Sequence, residues 1–369
     1  MDITTLSSYY SNCLLCHRQC GINRSEKTGY CGMPDGLFAA RAALHCWEEP
    51  CISGAGGSGT VFFSGCSLRC VHCQNHDIAL GLSGKEITPS RLAEIFLNLQ
   101  EKGAANINLV TPTHYVPSII AALSKAKDEG LTLPVVYNTG NYETLDTLKM
   151  LEGYVDVYLP DFKYWSGTLS GRYSAAPDYA VHAAENIAEM FRQVGEARFS
   201  AIQFPSPQVP KMQLPAAQEA APQLVFPVSM QEPSTNYPTM QSPGAQFPTG
   251  QFPVAIADEI DPSESETCLM TRGIIVRHLV LPGAVFDSKK IIRFLYKTYG
   301  DAIYLSILNQ YTPIAKNLGA FPELNRKITQ AEYNGVVDYA IKLGVENAFI
   351  QEGETAEESF IPEFNGEGI

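Results

Sequence analysis

Three cysteines in the first fifth of the chain have the residue type and spacing suited to metal chemistry. Cys66, Cys70 and Cys73 form a C-x3-C-x2-C run. Three thiolates can ligate three irons of a 4Fe-4S cubane and leave the fourth iron open, whereas four ligands close a cluster used for electron transfer or structure. An open iron can chelate a substrate or cofactor, as the open position of a catalytic zinc site does. A zinc site completed by His72, His76 or a distant cysteine is the alternative, although structural zinc usually prefers paired C-x2-4-C knuckles.

A second group of four cysteines precedes this run: Cys13, Cys16, Cys20 and Cys31. Nine of the ten cysteines lie within the first 73 residues, and Cys268 is the exception. Such crowding favours metal ligation over disulfides spread across a fold. The four thiolates suit a structural zinc ion, a second and fully ligated cluster, or no metal at all, and their spacing does not decide among these.

The chain as a whole has the composition of a globular protein. Its 369 residues are 45% hydrophobic, enough for a sizeable core, which excludes a disordered tail or a disulfide-stapled miniprotein. The net charge of -13 argues against nucleic acid or an anionic membrane surface as a partner, because both attract positive charge. No run approaches the roughly 18 apolar residues of a membrane span, and the N-terminus does not resemble a secretory signal. We therefore expect a soluble, cytoplasmic protein.

Alternating strand and helix patterns downstream of the first cysteines must position these side chains. Helix boundaries are marked by Thr88 before Pro89 at one start, and by Gly103 and Gly344 at two ends. Strands that alternate with helices imply right-handed crossovers and a parallel sheet, either curled into a barrel or doubly wound. Both arrangements bind ligands at the carboxyl ends of the strands. The patterns predict strands over residues 60–63, 107–110, 134–137, 155–159, 274–281 and 304–308, an edge strand over 348–351, and helices over 88–103, near 119–130, and over 145–151, 178–195, 288–299 and 329–344.

Composition divides the chain into four parts. Residues 1–58 form a Cys-rich arm with a candidate second metal site, while residues 59–200 and 268–369 carry the two parts of the α/β region, the second with a C-terminal extension. Residues 201–267 differ, because the first sixty of them hold 11 of the 24 prolines, many glutamines and a single basic residue. That composition predicts a disordered or polyproline-like insertion, a surface linker rather than a docking segment.

The C-x3-C-x2-C run at the end of the first strand of a βα repeat resembles that of the radical S-adenosylmethionine (SAM) superfamily. It is more closely similar to the pyruvate formate-lyase activating enzyme-like group, in an uncharacterised branch of it. The branch pattern includes the four arm cysteines and Cys51, which could join either centre, but not Cys46 or Cys268. The similar phrases keep their order and cover nearly the whole chain except the Pro/Gln-rich segment: ARAALH (40–45), WEEPCISG (47–54), CQN (73–75), NLVTPTHY (108–115), YLPDFKY (158–164), VRHLVLPG (276–283) and FIQEG (349–353).

The resemblance implies a partial (β/α)6 TIM-like barrel with a 4Fe-4S cluster and SAM at the carboxyl ends of the strands. In that superfamily the open iron chelates SAM, and one electron cleaves it to methionine and a 5′-deoxyadenosyl radical. An activating enzyme of this oxidoreductase type implies a low-potential donor, flavodoxin- or ferredoxin-like, and a partner protein whose backbone glycine becomes a glycyl radical. The alternative is a non-catalytic iron–sulfur electron carrier or a zinc-stabilised interaction protein. The three-cysteine motif, with Asp161 and Lys163 on another strand, argues against it.

The resemblance also assigns site residues beyond the three cluster cysteines. His72 precedes the last ligand and corresponds to a position near the SAM adenine. Asp161 and Lys163 resemble the Asp-x-Lys of the activating enzymes, whose side chains approach SAM. Thr111 and Thr113 stand where many members carry a Gly-Gly-Glu turn that receives the SAM amino group. Their hydroxyls, or backbone carbonyls, would accept those hydrogen bonds instead.

Two further residues are expected to line the site at the carboxyl ends of the barrel strands: Asn138 at the end of the third strand and His278 on the fifth. A hydrogen-bonded core histidine is the other interpretation of His278. The other interpretation of the Asp-x-Lys pair is an exposed salt bridge worth about 0–1 kcal/mol. Glu48 and Glu49 have the chemistry for proton transfer, but we expect them to be solvated carboxylates.

Overall fold

The structure is a computed structural model, and everything below refers to the residues that it describes. They all belong to one compact unit, Met1–Phe204 together with Glu264–Ile369. Beyond Ala201, the predicted Pro/Gln-rich insertion lies outside the described residues. The described stretches are residues 8–201, 268–313, 318–351 and 362–369.

Ten strands form the central sheet: β1 (Leu37–His45), β2 (Ser58–Phe63), β3 (Lys85–Ile87), β4 (Ile107–Val110), β5 (Val135–Thr139), β6 (Val157–Pro160), β7 (Arg198–Ala201), β8 (Cys268–Leu279), β9 (Tyr304–Leu308) and β10 (Ala348–Ile350). Their order is β10-β9-β8-β6-β5-β4-β2-β1-β3, and β7 pairs with β8. From β2 to β10 this path is parallel, whereas β1, β3 and β7 pair antiparallel with their neighbours. The predicted α/β class with a largely parallel sheet is confirmed.

The order of the parallel strands bears on the choice between a barrel and a doubly wound sheet. A doubly wound sheet reverses its strand order at a switch point. Here each successive parallel strand adds to the same side, from β2 through β4, β5, β6, β8 and β9 to β10. This is the order in which a barrel is built. The partial (β/α)6 barrel itself stays a prediction.

Helices connect the parallel strands, and no described helix is both long and apolar enough to cross a membrane. The helix Pro89–Glu101 (α3) shows why they form where they do, because Thr88 accepts a hydrogen bond from the Arg91 amide and Pro89 occupies the first turn. Its buried face includes Phe96 and Leu99, each worth about 1.5–3 kcal/mol when removed from water. The helices are α1 (Pro50–Ser53), α2 (His76–Ala79), α3 (Pro89–Glu101), α4 (Val116–Asp128), α5 (Leu145–Met150), α6 (Gly167–Ser174), α7 (Tyr179–Val194), α8 (Val285–Tyr299) and α9 (Gln330–Leu343).

The N-terminal region is built into the fold. It contributes β1, which pairs antiparallel with β2 so that Ala43 lies opposite Thr60. Leu15 and Met33 from the same region are buried. Alanines of β1 are buried as well, because the strand is covered by its neighbours. The arm is thus part of the core beside the C-x3-C-x2-C loop.

Candidate functional site

The three cysteines of the C-x3-C-x2-C run lie on the loop that follows the carboxyl end of β2. Gly65 (φ +86°) and Arg69 (φ +49°) adopt left-handed backbone conformations that fold this loop. Cys66, Cys70 and Cys73 all line one cavity of about 580 Å³. The structure therefore brings the three predicted cluster ligands together, at the strand end where α/β folds place their chemistry.

The surroundings of these thiols suit metal-bound thiolates. Burial raises the pKa of Cys66 and that of Cys73, so without a compensating cation both would stay protonated at neutral pH. Hydrogen-bond donors nevertheless point at two of the sulfurs. Ser174 Oγ lies 3.0 Å from Cys70 Sγ, and the Leu68 amide nitrogen lies 3.4 Å from Cys66 Sγ. Three soft sulfur ligands supported in this way fit an iron–sulfur cluster.

A polar wall of the same cavity carries an ionic network centred on Arg277 of β8. Its Nη1 lies 3.0 Å from Glu48 Oε2 and its Nε lies 3.4 Å from Asp161 Oδ1. Its Nη2 donates to Asn138 Oδ1 at 2.5 Å. Asp161 also pairs with Lys163, with 2.5 Å between Oδ2 and Nζ. All five residues line the cavity, which therefore presents fixed charges of both signs.

The charges in this network hold one another ionised despite their burial. Burial by itself raises the pKa of Asp161, but Lys163 and Arg277 outweigh it and hold that pKa below its usual range. Burial by itself lowers the pKa of Lys163, but Asp161 and the Cys70 thiolate outweigh it and raise that pKa. The Asp161–Lys163 pair is thus a mostly buried, charged pair, and not the exposed salt bridge of the alternative interpretation.

Glu48 and Glu49 are not the solvated carboxylates that the sequence led us to expect. The Glu48 side chain is 8% exposed and accepts hydrogen bonds from Asn108 Nδ2 at 2.9 Å and Asn138 Nδ2 at 3.3 Å. Glu49 is also buried, and burial raises the pKa of its carboxyl, against the opposing effect of Arg277. The expectation was wrong because β8 supplies a cation that no local pattern around these residues reveals. Both glutamates line the cavity.

Among the other predicted site residues, His72, Thr111 and Asn138 line the cavity, whereas Thr113 and His278 are not among its lining residues. Thr113 Oγ1 donates to the buried carboxylate of Glu143 at 2.6 Å. His278 Nδ1 lies 2.7 Å from the carbonyl oxygen of Phe162, inside the core. Thr111 adopts φ +58°, which is unusual for a β-branched residue and the kind of strain that functional sites retain.

The four arm cysteines also lie near one another. Cys13, Cys16 and Cys31 are buried and Cys20 is half-buried. Burial, and to a smaller extent the charges of the other three cysteines, raise the pKa of Cys16 to about 12. Cys51 stands apart, packed against Val136, Leu159 and Ile275 in a separate part of the core. Among the described residues, no three His, Cys, Asp or Glu side chains stand close enough to share a single metal ion.

Sequence reasoning missed the two residues that organise the polar wall, Arg277 and Glu48, and the Ser174 hydroxyl at Cys70. Arg277 and Glu48 fall within phrases that resemble the radical SAM branch, so a signal for both was present. Their pairing, across 229 positions in the chain, was not visible locally. Within β8, the sequence analysis predicted His278 as the site residue. Side chains alternate between the two faces of a strand, and it is the neighbouring Arg277 that lines the cavity.

Comparison with known proteins supports an iron–sulfur protein. A family model described as a 4Fe-4S single cluster domain matches residues 52–165, a stretch that contains all three cysteines of the run as well as Asp161 and Lys163. An uncharacterised protein of Methanocaldococcus jannaschii is 31% identical over 188 residues, which are 48% of this chain and 53% of the relative. The chain thus spans about half the length of the curated relative that it matches.

Proposed function

We propose that the protein is a radical SAM enzyme. The observation that carries the proposal is that Cys66, Cys70 and Cys73 line the same cavity as the Asp161–Lys163 pair. A three-thiolate cluster leaves one iron open for a cofactor, and the cavity supplies the room and the charges that such a cofactor needs. Its volume of about 580 Å³ falls within the roughly 300–1,000 Å³ typical of small-molecule sites.

The residues of the polar wall suit a zwitterionic cofactor. SAM carries an ammonium, a carboxylate and a sulfonium, and the wall offers carboxylates at Asp161 and Glu48 and cations at Lys163 and Arg277. His72, which lies between Cys70 and Cys73 in the sequence, adds a buried ring to the cavity lining. When bound, the cluster and SAM together supply a 5′-deoxyadenosyl radical for hydrogen abstraction. The protein's part is to hold the cofactor, keep its own charges paired and exclude water.

The finer proposal is that the hydrogen comes from a backbone glycine of a partner enzyme, which becomes a glycyl radical. The similarity of YLPDFKY at 158–164 to the activating enzymes supports it. A low-potential donor, flavodoxin- or ferredoxin-like, would supply the electron. An electron paramagnetic resonance (EPR) doublet on a candidate partner, dependent on SAM and on this protein, is the expected result. Cleavage of SAM without radical transfer to any glycine-loop partner contradicts this part alone.

The test of SAM cleavage is anaerobic reconstitution followed by reduction with dithionite in the presence of SAM. We expect 5′-deoxyadenosine from the wild-type protein and none from Cys70→Ser. The matched control is Cys268→Ser, which changes an exposed thiol at the start of β8 and should keep full product formation. A cluster that forms and is reduced without yielding 5′-deoxyadenosine contradicts the proposal and favours a non-catalytic electron carrier.

A further inference from the structure

The arm cysteines form a second sulfur site whose loops are tied together by backbone hydrogen bonds. The Cys13 amide donates to the Ile22 carbonyl at 3.0 Å, and the Gly21 amide donates back to the Cys13 carbonyl at 3.1 Å. The sulfurs of Cys20 and Cys31 lie 3.5 and 3.6 Å from the point where a Cβ on Gly29 would stand. The absence of that Cβ leaves room for two thiols to converge on one place.

All four sulfurs lie close enough to interact. The charges of Cys13, Cys20 and Cys31 each act on Cys16, and those of Cys13 and Cys20 act on Cys31. Four soft thiolate donors in a mostly buried setting are the ligand set of a closed iron–sulfur cluster, or of a structural zinc ion. The spacing of the sulfurs distinguishes the two.

This second site adjoins the C-x3-C-x2-C loop, to which hydrogen bonds connect it. Arg18, between two of the arm cysteines, donates from Nε to the Ser67 carbonyl at 2.8 Å and from Nη2 to the Ser174 carbonyl at 2.6 Å. From the other side, Arg69 Nη1 donates to the Tyr30 carbonyl at 3.2 Å. The backbone contact is equally close, because the Cys31 carbonyl oxygen lies 2.8 Å from where a Cβ on Gly65 would stand.

We infer that Cys13, Cys16, Cys20 and Cys31 ligate a second, fully coordinated iron–sulfur cluster that relays electrons to the cluster at Cys66–Cys73. The relay part rests on the proposed function. A low-potential one-electron donor reduces the arm site by one electron. That electron passes to the adjacent site and from there to the sulfonium, whose carbon–sulfur bond breaks to give a radical and a neutral thioether. Both sites then have the charge with which they started. One electron taken from the donor is therefore consumed for each carbon–sulfur bond that is cleaved.

The spacing of the sulfurs favours a cluster over zinc. A zinc ion binds its four thiolates at about 2.3 Å, but within the described stretches of the chain no three His, Cys, Asp or Glu side chains stand close enough to share a single metal ion. Each cysteine of a closed cubane ligates a different iron, so the four sulfurs need not meet at one atom. A redox-inactive zinc ion would also offer no route for electrons.

The first experiment counts metals in the full chain after anaerobic reconstitution. We expect about eight irons per chain in the wild type, and about four in each of the double variants Cys13→Ser/Cys16→Ser and Cys66→Ser/Cys70→Ser. The latter variant should keep a reducible cluster with an EPR signal of its own, whether or not the wild type cleaves SAM. About four irons in the wild type, or one zinc per chain that is lost with the arm cysteines, overturns the inference. If the arm double variant fails to fold, Cys20→Ala with the same count replaces it.

The second experiment tests the relay. Relative to the wild type, the arm variant should lose at least about tenfold more of its rate of 5′-deoxyadenosine formation with reduced flavodoxin as donor than with dithionite, which is small enough to reach the cavity directly. An equal fractional loss with both donors overturns the relay. A wild type that forms no product with either donor contradicts the proposed function instead and leaves the iron count standing.

Discussion

The side-chain hydroxyl of Ser174 lies 3.0 Å from the sulfur of Cys70, and the hydroxyl of Tyr164 lies 2.8 Å from that of Ser174. Because the single hydroxyl proton of Ser174 is donated to the sulfur, the Tyr164 hydroxyl donates to the Ser174 oxygen. Both donors are buried, so Tyr164 polarises the Ser174 hydroxyl and strengthens its hydrogen bond to the sulfur in a low-dielectric setting. Hydrogen bonds to ligand sulfurs help to set the reduction potential of a cluster.

Replacing this hydroxyl should make the cluster harder to reduce. In Ser174→Ala the Cys70 thiolate loses a donor that stabilises the more negative, reduced state. If the hydrogen bond stabilises the reduced cluster over the oxidised one by about 1 kcal/mol, its loss makes the one-electron reduction potential roughly 40 mV more negative. Redox titration followed by EPR measures the shift. Ser170→Ala is the control, because the Ser170 hydroxyl on the same helix donates to the Gly167 carbonyl instead. Equal potentials in both variants contradict the role given to Ser174.

Gly65 should be sterically irreplaceable. A Cβ there would stand 2.2 Å from Met33 Cγ and 2.8 Å from the Cys31 carbonyl oxygen, so the Met33 side chain and the backbone at Cys31 would both have to move. Gly153 has nearly the same φ, +82° against +86°, but open space around its missing Cβ. We expect Gly153→Ala to lower the free energy of unfolding by about 1 kcal/mol through left-handed strain alone.

Gly65→Ala adds overpacking to that strain, and we expect it to cost about 2 kcal/mol more than Gly153→Ala. Chemical denaturation followed by circular dichroism compares the two variants. Similar losses would show that the loop yields easily and that the arm does not fix its position. Because Gly65 precedes the first ligand, the same variant should also retain less iron after reconstitution.

The sequence predicted correctly those strands and helices that have a distinctive local residue pattern, such as an apolar run or a helix cap. The bounds of β4 and β9 agree with the predicted residues 107–110 and 304–308, since each is a short apolar run. Helix α9 begins where Thr329 and Glu332 form the capping box and ends at Gly344, whose φ is +89°. The three cysteines were singled out in the same way, because their spacing is a local signal for metal ligation.

What escaped prediction depends on contacts distant in sequence. Strand β1 is rich in alanine, a weak strand former, and becomes a strand through pairing with β2. Strand β3 is polar and mostly exposed, so it has no apolar pattern to detect. The burial of Glu48 follows from its ion pair with Arg277, which approaches from another strand. Because the two residues are distant in the sequence, only the folded structure reveals that their charges pair.

Arg277 should be the residue of the polar wall on which stability depends most. In Arg277→Met, the carboxylates of Glu48 and Asp161 lose their shared cation while still largely buried. Removing one partner of a buried ion pair costs about 3–5 kcal/mol. Chemical denaturation should show a loss of that order. Arg192→Met is the control, because the Arg192 guanidinium is half-exposed in its pairs with Glu152 and Glu189 and should cost less than about 1 kcal/mol.

A second variant separates the charge from the packing of Arg277. Adding Glu48→Gln to Arg277→Met removes one of the two stranded carboxylates, so part of the lost stability should return. No recovery in the double variant would mean that the cost of Arg277→Met comes from lost packing rather than from unpaired charge.

His278 should behave as a neutral core histidine. Its Nδ1–H donates to the Phe162 carbonyl, while Nε2 is buried and has no hydrogen-bond partner in the described part of the chain. Protonation at Nε2 would therefore create a buried charge without a partner. Burial lowers the pKa of this imidazole to about 4, from 6.5 in an unfolded chain.

The sign of the pH dependence follows from that difference. Between the two pKa values the unfolded chain binds a proton that folded His278 refuses, so acidification favours unfolding. Going from about pH 7.5 to about pH 5.5, His278 alone should lower the free energy of unfolding by about 1 kcal/mol. His278→Asn retains a donor for the Phe162 carbonyl but cannot titrate, so urea denaturation of this variant should show a loss that is smaller by the same amount. All other histidines are common to both proteins, and their contributions cancel in the comparison. If the two proteins lose stability equally on acidification, the pKa of His278 is the same in the folded and unfolded chains, and this contradicts the role of a neutral core histidine.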